Sequence, residues 1–338
     1  MARRPPVEVI DAARPHRVVQ VSERAAGRRA DVFLQLRFPN WSRSSLSHNI
    51  RTGHVTSNQR LLKPSSTLQL GEVIRVYIPG IAPLDAAPPL PTVLYEDEWL
   101  MALDKPAGLI MHPVGQKWAW GLVGVVRRAR PDAAIDLAHR LDRDTSGVVV
   151  VTKTPEANRH MKQMFMDRRV GKVYWALVRG VPEWEEAVCD ARLGKAAVSE
   201  VLLRQGENPD GAVARTRFKI IHRLAGHALV ACKPVTGRTH QIRAHLEHIG
   251  FPILGDKLYG QPDAVFLELL EHGATPAMRA HIGFPRHALH ARSIAFPHPK
   301  TGQILRIKAP LPPDMRAIVN GAAPRWELET SQASDEDP

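Results

Sequence analysis

The chain has 338 residues, 44% of them hydrophobic, and 46 Lys and Arg against 34 Asp and Glu give a formal net charge of +12. Such a length suits two or three domains with a sizeable core, and no run of about 18 apolar residues is present to form a transmembrane helix. Two cysteines, Cys189 and Cys232, are too few for a disulfide framework or a Cys-based zinc site, and no apolar stretch follows the N-terminus as a secretory signal, so a cytoplasmic, cofactor-independent protein is expected.

Charge is spread unevenly. Residues 1–80 carry 13 basic and 5 acidic side chains, whereas the last fourteen carry five acids and one Arg. A basic excess gathered at one end attracts polyanions through phosphate contacts. Residues 1–16, rich in Pro and Arg, read as a loose arm, and 17–79 as a small domain. There Val32, Phe33 and Leu36 predict a helix from Asp31 to Phe38. Ser42 can cap a second helix from Arg43 to Thr52, with Leu46 and Ile50 inward and Gly53 as its stop, leaving Arg43, His48 and Arg51 to solvent. Strands over Val55 to Leu62 and Val73 to Ile78 follow. The proline-rich residues 80–91 predict a stiff linker, 92–320 the main body, and 321–338 an acidic, disordered tail.

In the main body, His139-Arg-Leu-Asp-Arg-Asp-Thr-Ser-Gly147 precedes Val148-Val-Val-Val151, which reads as a polar loop feeding a buried strand. Arg140 and Arg143 favour ionised Asp142 and Asp144, which suits a nucleophile or a base; a surface loop of paired charges fits the segment equally well. Thr154-Pro155 starts a helix with Ala157, Met161, Met164 and Phe165 inward, closed by Gly171. The strand after it, Lys172 to Val178, puts Lys172 and Tyr174 on one face and Val173, Trp175 and Leu177 on the other. A Tyr beside a Lys can stack on a base or pass a proton, or can be an ordinary strand residue. Thr239 is expected to cap a helix with Ile242, Leu246 and Ile249 inward and Gly250 as its stop, His240 and Arg243 then sharing an exposed face. With Arg238 before it, that helix start can meet a phosphate or a catalytic carboxylate, or be a solvated basic face. Ala264 to Leu270 reads as an apolar helix. The pairs His245/His248 and His287/His290 lack H-E-x-x-H spacing, so no metal is expected, and no glycine-rich phosphate cradle occurs.

Taken in order, these segments resemble the RluA-type RNA pseudouridine synthases. The resemblance runs through Leu94-Tyr-Glu-Asp-Glu98, Asp104-Lys-Pro-Ala-Gly-Leu109, the loop His139 to Gly147, and Lys172-Val-Tyr174. It continues through Thr236 to Arg243, Gly255-Asp-Lys-Leu-Tyr-Gly260 and Leu289-His-Ala291, covering about residues 92–310. Ala30-Asp-Val-Phe-Leu34, Ser42-Arg-Ser44 and Arg51-Thr-Gly-His-Val55 resemble the S4 RNA-binding domain. Ala30 stands where leucine is usual there, and Gln59 where the turn usually has glycine.

The resemblance implies an α+β fold, with a mixed, largely antiparallel sheet and a central cleft, preceded by a small α/β S4-like RNA-binding domain. It implies that the uridine N1–C1′ bond is broken and the sugar rejoined to C5, with no cofactor and no metal. Asp142 matches the catalytic aspartate, Tyr174 the tyrosine that packs on uracil, and Arg243 the arginine that pairs with the aspartate. Arg140 matches the residue that fills the stack vacated by a flipped base. His139, Lys172, Arg238, His240 and Leu289 are expected at the substrate, and Arg43, Arg51 and Lys63 at RNA in the S4-like domain. The expected partner is large-subunit ribosomal RNA, free or in a ribosomal particle, with transfer RNA as the alternative; a monomer without membrane contact is expected. Two other classes compete. A non-catalytic RNA-binding assembly factor would have no need of Asp142, Tyr174 and Arg243 together, and a glycosidic hydrolase would need Asp144 or another acid as proton donor. Lys117-Trp-Ala-Trp120 and the long stretch 261–286 depart from the family pattern, and substrate recognition can turn on either.

Overall fold

The computed structural model describes residues 16–23, 25–38, 43–57, 60–77, 88–111 and 121–326. Ser42, Gln59, the Lys117-Trp-Ala-Trp120 run, most of the linker and the acidic residues from 327 onward lie outside them, as does the arm before residue 16. The described residues of Met1–Pro89 and His112–Val125 form one compact unit, and those of Leu90–Met111 and Val126–Pro338 another.

The N-terminal unit contains β1 (His16–Gln20), α1 (Ala30–Arg37), α2 (Arg43–Arg51), β2 (Val55–Ser57), β3 (Arg60–Leu61) and β4 (Val73–Tyr77). Its antiparallel sheet runs β1-β4-β2-β3. Phe33 and Leu34 of α1 and Leu46 and Ile50 of α2 share one core with Val55, Ile74 and Val76 of the strands. Within the segment Val55 to Leu62 the strands β2 and β3 pair antiparallel, with Ser57 opposite Arg60. Strand β1 was not legible in the sequence; it is recruited by pairing along β4, with His16 opposite Tyr77 and Gln20 opposite Val73. Asp31 is buried at the start of α1, where the Arg29 guanidinium grips both carboxylate oxygens at 3.1 and 2.9 Å.

The remaining elements, in chain order, begin with β5 (Val93–Glu96), β6 (Leu100–Lys105), α3 (Leu122–Ala129), β7 (Asp136–Leu137), β8 (Ser146–Thr152) and α4 (Pro155–Met166). Then come β9 (Gly171–Arg179), β10 (Glu186–Cys189), β11 (Leu193–Lys195), β12 (Gln205–Glu207), β13 (Thr216–Leu224), β14 (His227–Pro234) and α5 (Gln241–His248). Helices α6 (Asp263–His272) and α7 (Pro276–Ile282), strands β15 (Leu289–Pro297) and β16 (Ile304–Lys308) and helix α8 (Pro313–Val319) complete the order. Ten strands form one sheet, β10-β13-β14-β9-β15-β8-β6-β5, with β16 against β15 and β7 against β8. Among the described residues its one parallel pair is β8–β15, where Ser146 faces His290 and Gly147 faces Ala291. The architecture is therefore α+β with a mixed, largely antiparallel sheet. No helix among the described residues is long and apolar enough to cross a membrane.

Every residue of β8 is buried, as a strand covered on both faces requires. Ala157, Met161 and Met164 of α4 pack with Val148 and Val150 of β8 and with Leu100 and Phe296. A second core joins Ile242 and Leu246 of α5 and Met315 of α8 to Ala176, Val178 and Val230. Gly147 has φ 106°, and a Cβ there would run into the Ala291 backbone, so only glycine lets β8 start this close to β15. That start fixes the end of the 139–145 loop.

Two helix boundaries differ from expectation. The Thr154 side chain accepts from Ala157 N at 3.1 Å and caps α4, but Gly171 does not close that helix. The helix ends at Met166, Arg168 turns the chain in left-handed conformation (φ 57°), and Gly171 is already the first residue of β9. Thr239 does not cap α5 either. The residue before that helix is His240, at φ 54° with no side-chain cap, held there by tertiary contacts described below.

Candidate active site

A cavity of about 560 Å³ opens between the 138–145 loop, the end of α4, β9 and the connection from β14 into α5. Asp142, Tyr174, Arg243, Arg140, His139, Lys172, Arg238, His240 and Leu289 all line it. Residues 101 positions apart thus meet: Arg243 Nη1 donates to Asp142 Oδ2 at 3.3 Å. His240 Nε2 lies 4.0 Å from the same oxygen, while its Nδ1 is 3.1 Å from the Tyr259 hydroxyl. Burial, with Arg243 close by, lowers the His240 pKa.

Arg243 is not on an exposed helix face. It is buried, because Asp256 holds it: Nε donates to Oδ2 at 2.6 Å and Nη2 to Oδ1 at 2.9 Å, and the Tyr259 ring lies 4.8 Å from the guanidinium. Asp256 also accepts from Leu258 N and Tyr259 N, both at 3.0 Å. Burial works against ionising this carboxyl, but the charge and hydrogen bonds of Arg243 outweigh it and hold the group well below the carboxylate range. Reciprocally, Arg243 stays charged despite its own burial because Asp256 and Asp142 both face it. One fork is thus spent on a buried anchor, and one nitrogen is left for Asp142.

Tyr174 is pushed above the ordinary phenol range by burial, with the Asp142 charge adding to the effect, so it remains a neutral phenol. His139 accepts from Val150 N at 2.9 Å through Nε2 and stacks on Phe165 with centroids 4.9 Å apart. Burial and the nearby Lys172 push its pKa down to about 3. Its ring therefore ties the loop to β8 as a neutral acceptor. Lys172 extends over the Phe165 ring, 5.8 Å from its centroid, and burial lowers its pKa. Arg140 is exposed at the cavity, and Arg238 sends Nε to Val213 O at 3.2 Å. In the N-terminal unit Arg51 and Lys63 are exposed, and Arg43 is the first residue of α2.

Asp144 does not line the cavity. It pairs with Arg143 at 3.1 Å and Lys257 at 3.8 Å. Burial opposes its ionisation, but the nearby His287, with the Arg143 hydrogen bond and the charges of Arg143 and Lys257, holds it below the usual range. An acid kept ionised is a poor proton donor, which removes the basis for the hydrolase alternative. The histidine pairs serve the scaffold: His287 is 2.8 Å from the Thr145 hydroxyl, His290 3.0 Å from that of Ser146, and His245 2.9 Å from that of Thr216.

Several supports were not singled out from the sequence. Lys105, fully buried, donates to Pro106 O, Leu109 O and Arg143 O at 2.8–2.9 Å, joining the 104–109 turn to the loop of Asp142. Burial pulls its pKa down to about 7, against the charges of Asp144 and Asp142, which favour the ammonium. Arg286 grips Asp314 of α8 at 2.6 and 3.0 Å and reaches Asp144 O at 3.3 Å. Asp256 lies within Gly255-Asp-Lys-Leu-Tyr-Gly260 and Lys105 within Asp104-Lys-Pro-Ala-Gly-Leu109, whereas Arg286 has no local signal.

Residues 100–248 match the family model described as RNA pseudouridylate synthase. The chain is 36% identical over 320 residues to the ribosomal large subunit pseudouridine synthase C of Pasteurella multocida, covering 90% of this chain and 93% of that protein. It is 36% identical over 308 residues to the ribosomal large subunit pseudouridine synthase D of Xanthomonas campestris, covering 89% and 90%. Among solved structures, human RNA pseudouridylate synthase domain containing 4 superposes with a TM-score of 0.54 at 25% identity, over 68% of this chain and 91% of that one.

Proposed function

The chain belongs to the RNA pseudouridylate synthase family, and we propose that it isomerises uridine to pseudouridine in large-subunit ribosomal RNA with Asp142 as the catalytic carboxylate. The observation that carries the assignment of Asp142 is its pairing at 3.3 Å with an arginine that is itself anchored by a second, buried carboxylate. That arrangement fixes a cation against the carboxyl group at the cavity wall. The relatives' names support the choice of RNA.

The cavity lies within the range of roughly 300–1,000 Å³ usual for ligand pockets. A stacked uridine cannot reach Asp142, so the base must leave its stack, and the exposed planar guanidinium of Arg140 is suited to fill the space it vacates. Neutral Tyr174 offers the uracil an aromatic face beside Asp142. The isomerisation breaks N1–C1′ and forms C1′–C5; the base loses its C5 proton and gains one at N1, so no outside reactant is consumed. His139 and Leu289 shape the wall, while Lys172, Arg238 and His240 face the incoming nucleotide. In the N-terminal unit, Arg43, Arg51 and Lys63 supply sequence-independent phosphate contacts in this reading.

The test is to incubate the protein with large-subunit, small-subunit and transfer RNA transcripts and map pseudouridine by carbodiimide modification and primer extension. New stops in the large-subunit transcript alone are expected. Stops confined to another RNA would overturn the substrate, and none in any RNA, including an immature large-subunit particle, would overturn the function.

A further inference from the structure

Among the described residues only two that are not glycine have left-handed backbone, Arg168 (φ 57°) and His240 (φ 54°), and both line the same cavity. Non-glycine residues in such conformations persist where a site requires them. The tertiary cause at His240 is visible, in Tyr259 and Asp142. Arg168 is different. It occupies the turn that ends α4, where Arg169 N bonds back to Met164 O at 2.9 Å and Arg168 N to Phe165 O at 3.2 Å. A helix ended this way favours glycine at the left-handed position. The chain instead places there an exposed arginine, with no ion pair to a carboxylate among the described residues.

The surroundings are cationic throughout. The described lining of the cavity holds Arg140, Arg168, Lys172, Arg238 and Arg243 but a single carboxylate, Asp142, which Arg243 already faces. Lys172 is half-buried on the same wall as Arg168, and across from it a Cβ on Gly237 would come within 3.6 Å of its amine. The two walls therefore approach each other at Lys172 and Gly237, with Arg168 and Arg238 lining the same cavity. None of the three is needed to stabilise Asp142, and a half-buried ammonium without an anion is costly to keep.

We propose that Arg168, with Lys172 and Arg238, forms a subsite for an RNA phosphodiester next to the flipped nucleotide, and that Arg168 occupies a position suited to glycine in order to supply that contact. The inference rests on the RNA-modifying reading and adds to it a ligand group and a residue that grips it. Arg168 is a positioning residue: it holds the strand and leaves the chemistry to Asp142.

Arg168→Gly separates the backbone from the side chain, since it suits the turn and removes the cation. Arg168→Lys keeps the charge. Binding of fluorescein-labelled dodecauridylate to the full chain, measured from 50 to 300 mM KCl, reads the number of phosphates neutralised. The expected result for Arg168→Gly is a melting temperature equal to or above wild type and about five- to tenfold weaker binding at 50 mM salt. The slope of log K against log salt should be shallower by about 0.7, the value for one phosphate on a single strand. Arg168→Lys restores the slope. Wild-type affinity and slope in Arg168→Gly would overturn the subsite, as would weaker binding with an unchanged slope or a fall in melting temperature, which would mark a structural role. Tritium release from uridine-labelled large-subunit RNA is followed in parallel and should fall in kcat/KM with the affinity. If wild type releases none from any RNA, an immature large-subunit particle included, the isomerase reading fails, while the slopes still decide the phosphate subsite.

Discussion

Replacing Asp256 by Asn tests whether Arg243 needs a second, buried carboxylate. The two groups are nearly sealed from solvent, with side-chain exposures of 9% for Arg243 and 0% for Asp256, and share bonds of 2.6 and 2.9 Å. Removing one partner of such a pair costs about 3–5 kcal/mol, because the other charge is left buried. Asn keeps the shape and one acceptor, so about 3 kcal/mol is expected, with Asp256→Ala at the upper end. Freed from its anchor, the guanidinium turns its fork onto Asp142, and misplacing a reacting group by an ångström costs about a hundredfold in rate. Urea unfolding and single-turnover tritium release at saturating enzyme measure the two effects. Because Arg243 holds the Asp256 carboxyl well below its ordinary range, its contribution is complete above about pH 4 and is lost only as pH falls through that lower value. The difference between wild type and Asp256→Asn should therefore stay constant from pH 5 to 8. A loss below 1 kcal/mol, or a rate within threefold of wild type, would refute the reasoning.

Other perturbations have defined outcomes. His287 is buried, and desolvation with Arg243 nearby pushes its pKa down to about 3, so its neutral form stabilises the fold above pH 6.5 and that share is lost as pH falls. At pH 5 the loss is about 2 kcal/mol; urea titrations should show a correspondingly flatter pH dependence in His287→Gln, and an identical profile would contradict the assignment. Lys105→Met removes three donors from buried carbonyls and should destabilise by about 3–5 kcal/mol; a melting temperature like that of wild type would show that the turn and loop hold each other without it. In Gly147→Ala the new methyl meets the Ala291 backbone at a positive φ, and about 3–5 kcal/mol should be lost, with hydrogen exchange rising in β8 and β15.

What the sequence made legible follows from how local each signal is. Thr154-Pro155 and the spacing of Ala157, Met161 and Met164 carry α4 within a dozen residues, so its start and buried face could be read directly. Its end could not, because Arg168 turns the chain at a position where glycine is the usual marker, and the nearest glycine already belongs to β9. The start of α5 was misplaced for a similar reason. Thr239 is a good local cap, but Tyr259 and Asp142 draw His240 into a conformation that periodicity does not encode. Arg243 could be assigned toward Asp142 only by resemblance. Its burial depends on Asp256, thirteen residues further on and past the end of its own helix, so helical spacing made it look solvent-exposed. Strand β1 shows the same limit, since its partner β4 lies more than fifty residues away.

The central claim is that Asp142 carries out uridine isomerisation in RNA. Tritium release from large-subunit ribosomal RNA labelled at uridine C5, compared between wild type and Asp142→Asn, tests it most directly. The variant keeps the size of the side chain and an oxygen for Arg243, so it should fold and bind the RNA as wild type does. Release by wild type, with none by Asp142→Asn at equal RNA occupancy, is the predicted result. Release by Asp142→Asn at the wild-type rate would contradict the account and move the chemistry to another residue of the cavity.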